Sequence, residues 1–219
     1  MLLPPWSNHA GCLLATGYTE VRDQQFVAAL ADAGDYLVDV GANLGLYGVT
    51  AGYHGVRVAA FEPNSRAASI AELNLARNGI TEEVHRLALA DWDGTTQLTD
   101  EDVTAHIGPA GPLTVEVARL DSLMLEPTGL PIMKIDAEGQ DVNVLKGAAR
   151  FLGEHRPVVL VEIWGGGREI RDLLAGMGYV TFSYAWRARR LETESAQQAG
   201  NLLAIHPSRL DEVFARLNQ

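Results

Sequence analysis

Cysteine is almost absent from this sequence, which contains Cys12 alone and therefore no intrachain disulfide. Disulfides form in oxidising compartments, so a chain without one is expected in the cytoplasm. Long hydrophobic runs are also missing, and no segment approaches the ~20 apolar residues that cross a bilayer. The N-terminus lacks the basic start of a secretory signal and is interrupted by Pro4 and Pro5. We therefore expect neither a signal peptide nor a membrane partner.

Basic residues are outnumbered: 17 lysines and arginines stand against 28 aspartates and glutamates, which gives a net charge of −11. A protein that binds nucleic acid needs a basic face that neutralises phosphates and releases counterions. The basic cluster of Arg187, Arg189 and Arg190 is interpreted as a solvated loop. The charge therefore predicts no nucleic-acid partner.

Apolar runs of strand length alternate with amphipathic stretches of helix length, which is typical of a parallel sheet covered by helices on both faces. A hairpin-like excursion is predicted at 92–120, where glycines and prolines interrupt this pattern. Helices are predicted at 21–33, 46–53, 65–78 with Ser65 as N-cap, 141–152 and 168–177. Strands are predicted at 36–41, 56–62, 84–90, 131–137, 157–164, 179–184 and 201–206.

The last two predicted strands are joined by a loop rather than a crossover helix, which favours an antiparallel neighbour. The sequence therefore predicts a doubly wound, Rossmann-like α/β fold with a seven-stranded, mostly parallel sheet and an antiparallel last strand. The length of 219 residues suits a single domain. Within it we expect an N-terminal segment and leading helix (1–34), a core (35–207) and a closing helix (208–219).

Ligands of open α/β sheets bind at the carboxyl ends of the strands. The first predicted strand runs into a turn with Gly41, Asn43 and Gly45, where small residues let a ligand approach the backbone. The second ends at Glu62, whose carboxylate can accept hydrogen bonds from both hydroxyls of a ribose. This pair fits NAD, flavin or S-adenosylmethionine. Because Asn43 replaces the glycine that admits a pyrophosphate, the turn favours a methyltransferase over a dehydrogenase.

Charged residues interrupt strands that should be apolar throughout, namely Asp39, Lys134, Asp136 and Glu162. Buried charges must be paired or must change their ionisation. One interpretation is a structural ion-pair network; the other, which we favour, is a polar floor beneath a reaction site.

Several motifs together resemble the FkbM-type methyltransferase family over about residues 35 to 207. In chain order they are VDVGANLG (38–45), FEPN (61–64), ALAD-x-DG (88–94), LDSL (120–123), KIDAEG (134–139), VLKGA (144–148), VEI (161–163) and NLLAIHP (201–207). The resemblance implies the class I methyltransferase fold and S-adenosylmethionine as the methyl donor. It also implies O-methylation of sugars, polyketides or peptide-derived natural products.

Individual residues can be given expected roles. Acidic residues near the acceptor are expected to be Asp136 and Glu138, with Glu162 as support. We expect no metal, although Asp136, Glu138 and Asp141 could in principle hold Mg²⁺. An NAD(P)-dependent oxidoreductase and a non-catalytic adenosine-nucleotide-binding protein remain alternatives. The resemblance implies that Asp39, Gly41, Asn43 and Gly45 line the methionine moiety, that Glu62 holds the ribose, and that Leu89 and Asp91 flank the adenine, although Asp91 could equally cap a turn. Asn64 and Asp136 complete the expected cofactor-binding residues.

Overall fold

A computed structural model describes residues 1–2, 21–98, 107–108, 111–163, 167–185, 190–193 and 200–218. Cys12, Arg187 and Arg189 lie outside these described residues. The helices are α1 (Val21–Leu30), α2 (Leu46–Gly52), α3 (Ser65–Arg77), α4 (Asp141–Gly147), α5 (Ala149–His155), α6 (Gly167–Gly176) and α7 (Leu210–Leu217). The strands are β1 (Tyr36–Val40), β2 (Arg57–Phe61), β3 (Glu82–His85), β4 (Leu87–Leu89), β5 (Gly94–Leu98), β6 (Ile107–Gly108), β7 (Leu113–Ala118), β8 (Pro131–Ile135), β9 (Val158–Ile163), β10 (Val180–Ala185), β11 (Arg190–Thr193) and β12 (Gly200–Ile205).

The main sheet has the strand order β11-β10-β12-β9-β8-β1-β2-β3. Its centre is parallel, and β12 lies antiparallel between β9 and β10. The doubly wound fold and the antiparallel last strand are therefore confirmed. The number of strands differs from the seven predicted, because Arg190–Thr193 adds an eighth, antiparallel strand at the edge beside β10. No helix among the described residues combines the length and apolar character that a bilayer crossing needs.

Two apolar layers cover the main sheet. On one side, which we call the α1 face, Leu37, Ile132 and Leu160 pack against α1, α2, α3 and α7. On the other, the α4 face, Val38 and Met133 pack against α4, α5 and α6. Alternation along each strand assigns every side chain to one of these layers.

The hairpin-like excursion predicted at 92–120 contains the antiparallel pair of β5 and β7. Together with β6 and with β4, which precedes the excursion, this pair forms a second, four-stranded sheet with the order β4-β7-β5-β6. The segment predicted as one strand at 84–90 is divided, since β3 joins the main sheet and β4 pairs with β7. Asp93 closes the base of the excursion: its carboxylate accepts hydrogen bonds from the backbone N–H of Arg119 (2.9 Å) and from its Nε (2.8 Å).

Two helix starts are set by caps that the sequence prediction did not include. The N-cap of α3 is Asn64 rather than Ser65, because the Asn64 side chain accepts hydrogen bonds from the backbone N–H groups of Arg66 and Ala67. The helix predicted at 141–152 is two helices, α4 and α5. Asp121, just after the excursion, accepts hydrogen bonds from the N–H groups of Arg150 and Phe151 and thereby caps α5 as a separate helix.

Candidate active site

Polar residues form a continuous row at the carboxyl edge of the main sheet. The register joins Phe61, Val40, Ile135 and Val161 in an apolar row on the α4 face. The next residue of each strand lies on the opposite side, the α1 face, because side chains alternate. β12 extends this row, since Asn201 pairs with Glu162. We call Glu62, Gly41, Asp136, Glu162 and Asn201 the polar row.

Gly41 begins the glycine turn between β1 and α2. Its backbone has φ +69°, and Gly45 at the other end has φ +79°, a conformation that glycine adopts without strain. A Cβ atom at Gly41 would lie 1.8 Å from the carbonyl oxygen of Asp136. The turn is also held by Asn74, a buried residue of α3 whose amide donates to the carbonyl of Leu44 (2.8 Å).

The Glu62 carboxylate is buried at one end of the polar row, with 8% of the residue exposed. One oxygen accepts a hydrogen bond from the backbone N–H of Asn43 and the other from that of Asn64, each at 2.8 Å. Burial raises the pKa of Glu62 to about 7, against the lowering effects of these two hydrogen bonds and of the Lys134 ammonium. Nearby Asp39 raises it further. The group is therefore fixed in direction and titrates near neutral pH.

Lys134 lies beneath the middle of the row. Its Nζ donates to the carbonyl oxygen of Gly41 (3.0 Å) and to Oδ2 of Asp136 (3.3 Å). It also lies 3.9 Å from Oδ1 of Asp39, the residue paired with it across β1 and β8. The structure thus brings together Asp39, Lys134 and Asp136, as the positions of these charges in the strands indicated.

The turn after β8 separates the three acidic residues considered as a metal site. Asp136 is half-buried on the α1 face, whereas Glu138 is exposed and has φ +46°. Asp141 accepts a hydrogen bond from the backbone N–H of Ala137 (3.0 Å), and burial raises its pKa. Among the described residues, no group of three or more His, Cys, Asp or Glu side chains is arranged to hold a metal ion.

At the far end of the polar row, sequence reasoning missed Asn201 and also Asp23, which contacts Asn201. Glu162 is half-buried on β9, beside Asn201 of β12. The Asn201 amide donates to Oδ2 of Asp23 (2.8 Å), which joins the first turn of α1 to the sheet. Asn201 could have been found from the sequence, because it is a polar residue at the start of an otherwise apolar strand. No sequence pattern marked Asp23.

Two of the expected cofactor residues, Leu89 and Asn64, have other contacts in the structure, and a third, Asp91, is exposed. The side chain of Leu89 is buried in the apolar layer of the α4 face. Asp91 is exposed after β4. Asn64 directs its backbone N–H at Glu62, and its side chain caps α3. Asn64 therefore supports the site by orienting Glu62, and Leu89 belongs to the apolar layer on the other face of the sheet.

The residues present fit the S-adenosylmethionine expected from the resemblance. A carboxylate oxygen offers two lone pairs, and each Glu62 oxygen uses one for a backbone N–H, so the second can accept a ribose hydroxyl. The turn between Gly41 and Gly45, both with positive φ, lies beside Glu62, because the backbone N–H of Asn43 donates to that carboxylate. A ligand held by Glu62 can therefore approach the backbone of the turn.

The chain is similar to known methyltransferases. The sequence model of one protein family, the methyltransferase FkbM domain, matches residues 39–181. The chain is 27% identical over 208 residues to methyltransferase sdnD of Sordaria araneosa, covering 74% of this chain and 80% of that protein.

Two solved structures show the same fold. The methyltransferase FkbM structure from Methylobacillus flagellatus has a TM-score of 0.54 at 20% identity, over 79% of this chain, and this chain spans only 44% of that one. The TehB-like SAM-dependent methyltransferase structure from Corynebacterium glutamicum has a TM-score of 0.54 at 13% identity, over 89% of this chain and 91% of that one. The chain belongs to the FkbM methyltransferase family, and its cofactor is S-adenosylmethionine.

Proposed function

We propose that this protein transfers the methyl group of S-adenosylmethionine to a hydroxyl oxygen of a small or natural-product-like acceptor, such as a sugar, a polyketide or a peptide-derived compound. The observation that carries the proposal is the polar row, in which Glu62 stands at one end, Glu162 and Asn201 stand at the other, and Gly41 and Asp136 lie between them. In this proposal the whole chain forms one catalytic domain.

The donor half of the site is the glycine turn with Glu62. Glu62 accepts the two ribose hydroxyls, and its orientation is set by the N–H groups of Asn43 and Asn64. Gly41, Asn43 and Gly45 present backbone to the methionine moiety, with Asp39 behind them, and Asp91 lies toward the adenine. Because these contacts exist before the donor binds, little reorganisation accompanies binding.

The acceptor half begins at Asp136. When bound, the donor supplies an electrophilic methyl group on a sulfonium. Asp136 accepts a hydrogen bond from the attacking hydroxyl, orients it in line and takes its proton as the oxygen becomes acidic. Glu162 lies next along the row and supports the acceptor, and Glu138 contributes from the turn after β8.

The charge of the row indicates the class of acceptor. Asp136 and Glu162 lie on it, and Asp23 contacts it through Asn201. Carboxylates attract hydrogen-bond donors and repel anions. A neutral hydroxylated molecule therefore suits the site better than a nucleic acid, which the net charge of −11 also opposes.

The proposal is tested by titrating the protein with S-adenosylhomocysteine and with NADH in a calorimeter, followed by assay of methyl transfer to a panel of hydroxylated compounds. We expect the first ligand to bind, NADH not to bind, and turnover to persist in EDTA. Tighter binding of NADH would support the oxidoreductase alternative. Donor binding without transfer to any compound of the panel would favour a non-catalytic binding protein, and loss of turnover in EDTA that Mg²⁺ restores would implicate a metal.

A further inference from the structure

Lysine is rare in this chain, which has only Lys134 and Lys146. Lys146 forms an exposed ion pair with Glu169 (3.2 Å), whereas the side chain of Lys134 is 6% exposed within the central sheet. Taking an ammonium out of water costs several kcal/mol in proteins before its partners compensate. The stability of the sheet does not by itself explain a charge at this position, because replacing a buried ion pair with apolar residues is often neutral or stabilising.

The partners of Lys134 belong to both halves of the proposed site. Its Nζ donates to the carbonyl oxygen of Gly41 (3.0 Å) in the glycine turn and to Asp136 (3.3 Å) in the acceptor half. It lies 3.9 Å from Asp39 and 5.1 Å from the ring centroid of Tyr47, the buried aromatic residue of α2. One ammonium therefore contacts the two elements whose separation sets the distance between donor and acceptor.

We infer that Lys134 is a positioning residue: it fixes the glycine turn and Asp136 relative to one another and so aligns the donor with the acceptor oxygen. The inference rests on the proposed function. A buried ammonium has three N–H donors to satisfy, and Lys134 directs two of its hydrogen bonds to the Gly41 carbonyl and Asp136, one in each half of the proposed site. These bonds pass across the β1–β8 boundary at the point where the Gly41 backbone meets the Asp136 carbonyl.

The positive charge of Lys134 also acts on Glu62. The charged groups facing Glu62 are Asp39 from β1 and Lys134 from β8, and Lys134 lowers the pKa of Glu62 while Asp39 raises it. Loss of the ammonium would keep Glu62 protonated to higher pH. A protonated carboxyl group accepts fewer hydrogen bonds, so donor affinity at neutral pH would fall although Lys134 does not touch the donor.

Because the chain has two lysines, protein labelled with ¹³C at lysine Cε should give two NMR signals that Lys146→Met assigns. We expect S-adenosylhomocysteine to shift the Lys134 signal and to leave that of Lys146 in place. This titration uses the parent protein and does not depend on any variant folding. An unmoved Lys134 signal in a protein that binds S-adenosylhomocysteine would overturn the inference, whereas no binding at all would contradict the proposed function.

Variants of Lys134 separate the effect of its charge from the effect of its contact geometry. Lys134→Met should weaken S-adenosylhomocysteine binding at neutral pH by roughly ten- to a hundredfold and move the binding profile to higher pH. Lys134→Arg keeps the charge and should return the profile toward that of the parent, but kcat should stay reduced because a planar guanidinium cannot reproduce the ammonium contacts. Lys146→Met is the matched control and should behave as the parent. A folded Lys134→Met protein with the parent pH profile and kcat would contradict a positioning role.

Discussion

Gly41 and Asp136 meet where β1 and β8 end, so closely that a Cβ atom on Gly41 would lie 1.8 Å from the Asp136 carbonyl oxygen. This contact links the glycine turn to the strand that bears the proposed base. The backbone N–H of Asp136 donates to the Val40 carbonyl (3.1 Å), which keeps the two strands in register up to this point. The space at position 41 is thus already filled by the neighbouring strand.

Gly41→Ala should therefore impair both folding and donor binding. Alanine in the left-handed region costs about 1–2 kcal/mol, and displacement of a packed backbone adds about 1–3 kcal/mol. Gly139→Ala is a matched control, because Gly139 has φ +89° but a Cβ there would meet nothing within 4 Å. Urea unfolding should show a clearly larger loss for Gly41→Ala. Equal losses would mean that the β1–β8 contact relaxes without cost.

Asp136→Asn should lower kcat by ~10²–10⁴ with little change in the dissociation constant of S-adenosylhomocysteine. Lys134 retains its contacts with the Gly41 carbonyl and with Asp39, so we expect the variant to fold. Asp211→Asn, on the exposed first turn of α7, is the control for a lost charge. Near-normal kcat in folded Asp136→Asn protein would remove Asp136 from the catalytic assignment.

Glu62→Gln should weaken S-adenosylhomocysteine binding about ten- to a hundredfold, because an amide has one acceptor oxygen where the carboxylate has two charged ones. In the parent protein, affinity should rise with pH through about 7 as Glu62 ionises. Calorimetry across this range measures both effects. A dissociation constant unchanged by Glu62→Gln would mean that the ribose is held elsewhere.

The same carboxyl group should make the ligand-free protein less stable as pH rises. Its pKa is about 7 when folded and 4.5 when exposed, so between these values the folded state binds more protons than the unfolded state. The stability contributed by the protonated form is complete below pH 4.5 and is lost by about pH 7. The loss is roughly 3 kcal/mol. Glu62→Gln should flatten this slope in urea unfolding, whereas Glu72→Gln, in an exposed ion pair with Arg86, should retain it.

Asp121→Ala should destabilise the protein by about 1–2 kcal/mol, the usual cost of losing an N-cap. Both Asp121 oxygens accept hydrogen bonds at the start of α5, from Arg150 (2.8 Å) and Phe151 (2.9 Å). Glu126→Ala, at an exposed position nearby, is the control and should change stability by less than about 0.5 kcal/mol. Equal effects of the two substitutions would show that the cap contributes nothing.

The sequence predicted the features that depend on periodicity. Alternating apolar runs located the central strands, and the loop before Asn201 indicated the reversed strand. The division of 84–90 escaped prediction because β4 leaves the main sheet to pair with β7, a partner far along the chain. The helix break at Ala148 depends on a cap from Asp121, which is equally distant in sequence.

Part of the site was predictable for a similar reason. Charges within apolar strands identified Asp39, Lys134, Asp136 and Glu162 because such residues are rarely placed there without a partner. The roles of Asn74 and Asp23 could not be read from their own helices, since each acts on a backbone or side chain of a different element. Local patterns do not contain such pairings.

The bridge from Asp93 to Arg119 has a consequence for changes in the length of the excursion. The bridge joins the two ends of the excursion, and Asp121 with the helix that it caps lies beyond this junction. We therefore expect residues inserted between β5 and β7 to leave the polar row in place as long as Asp93 and Arg119 are preserved.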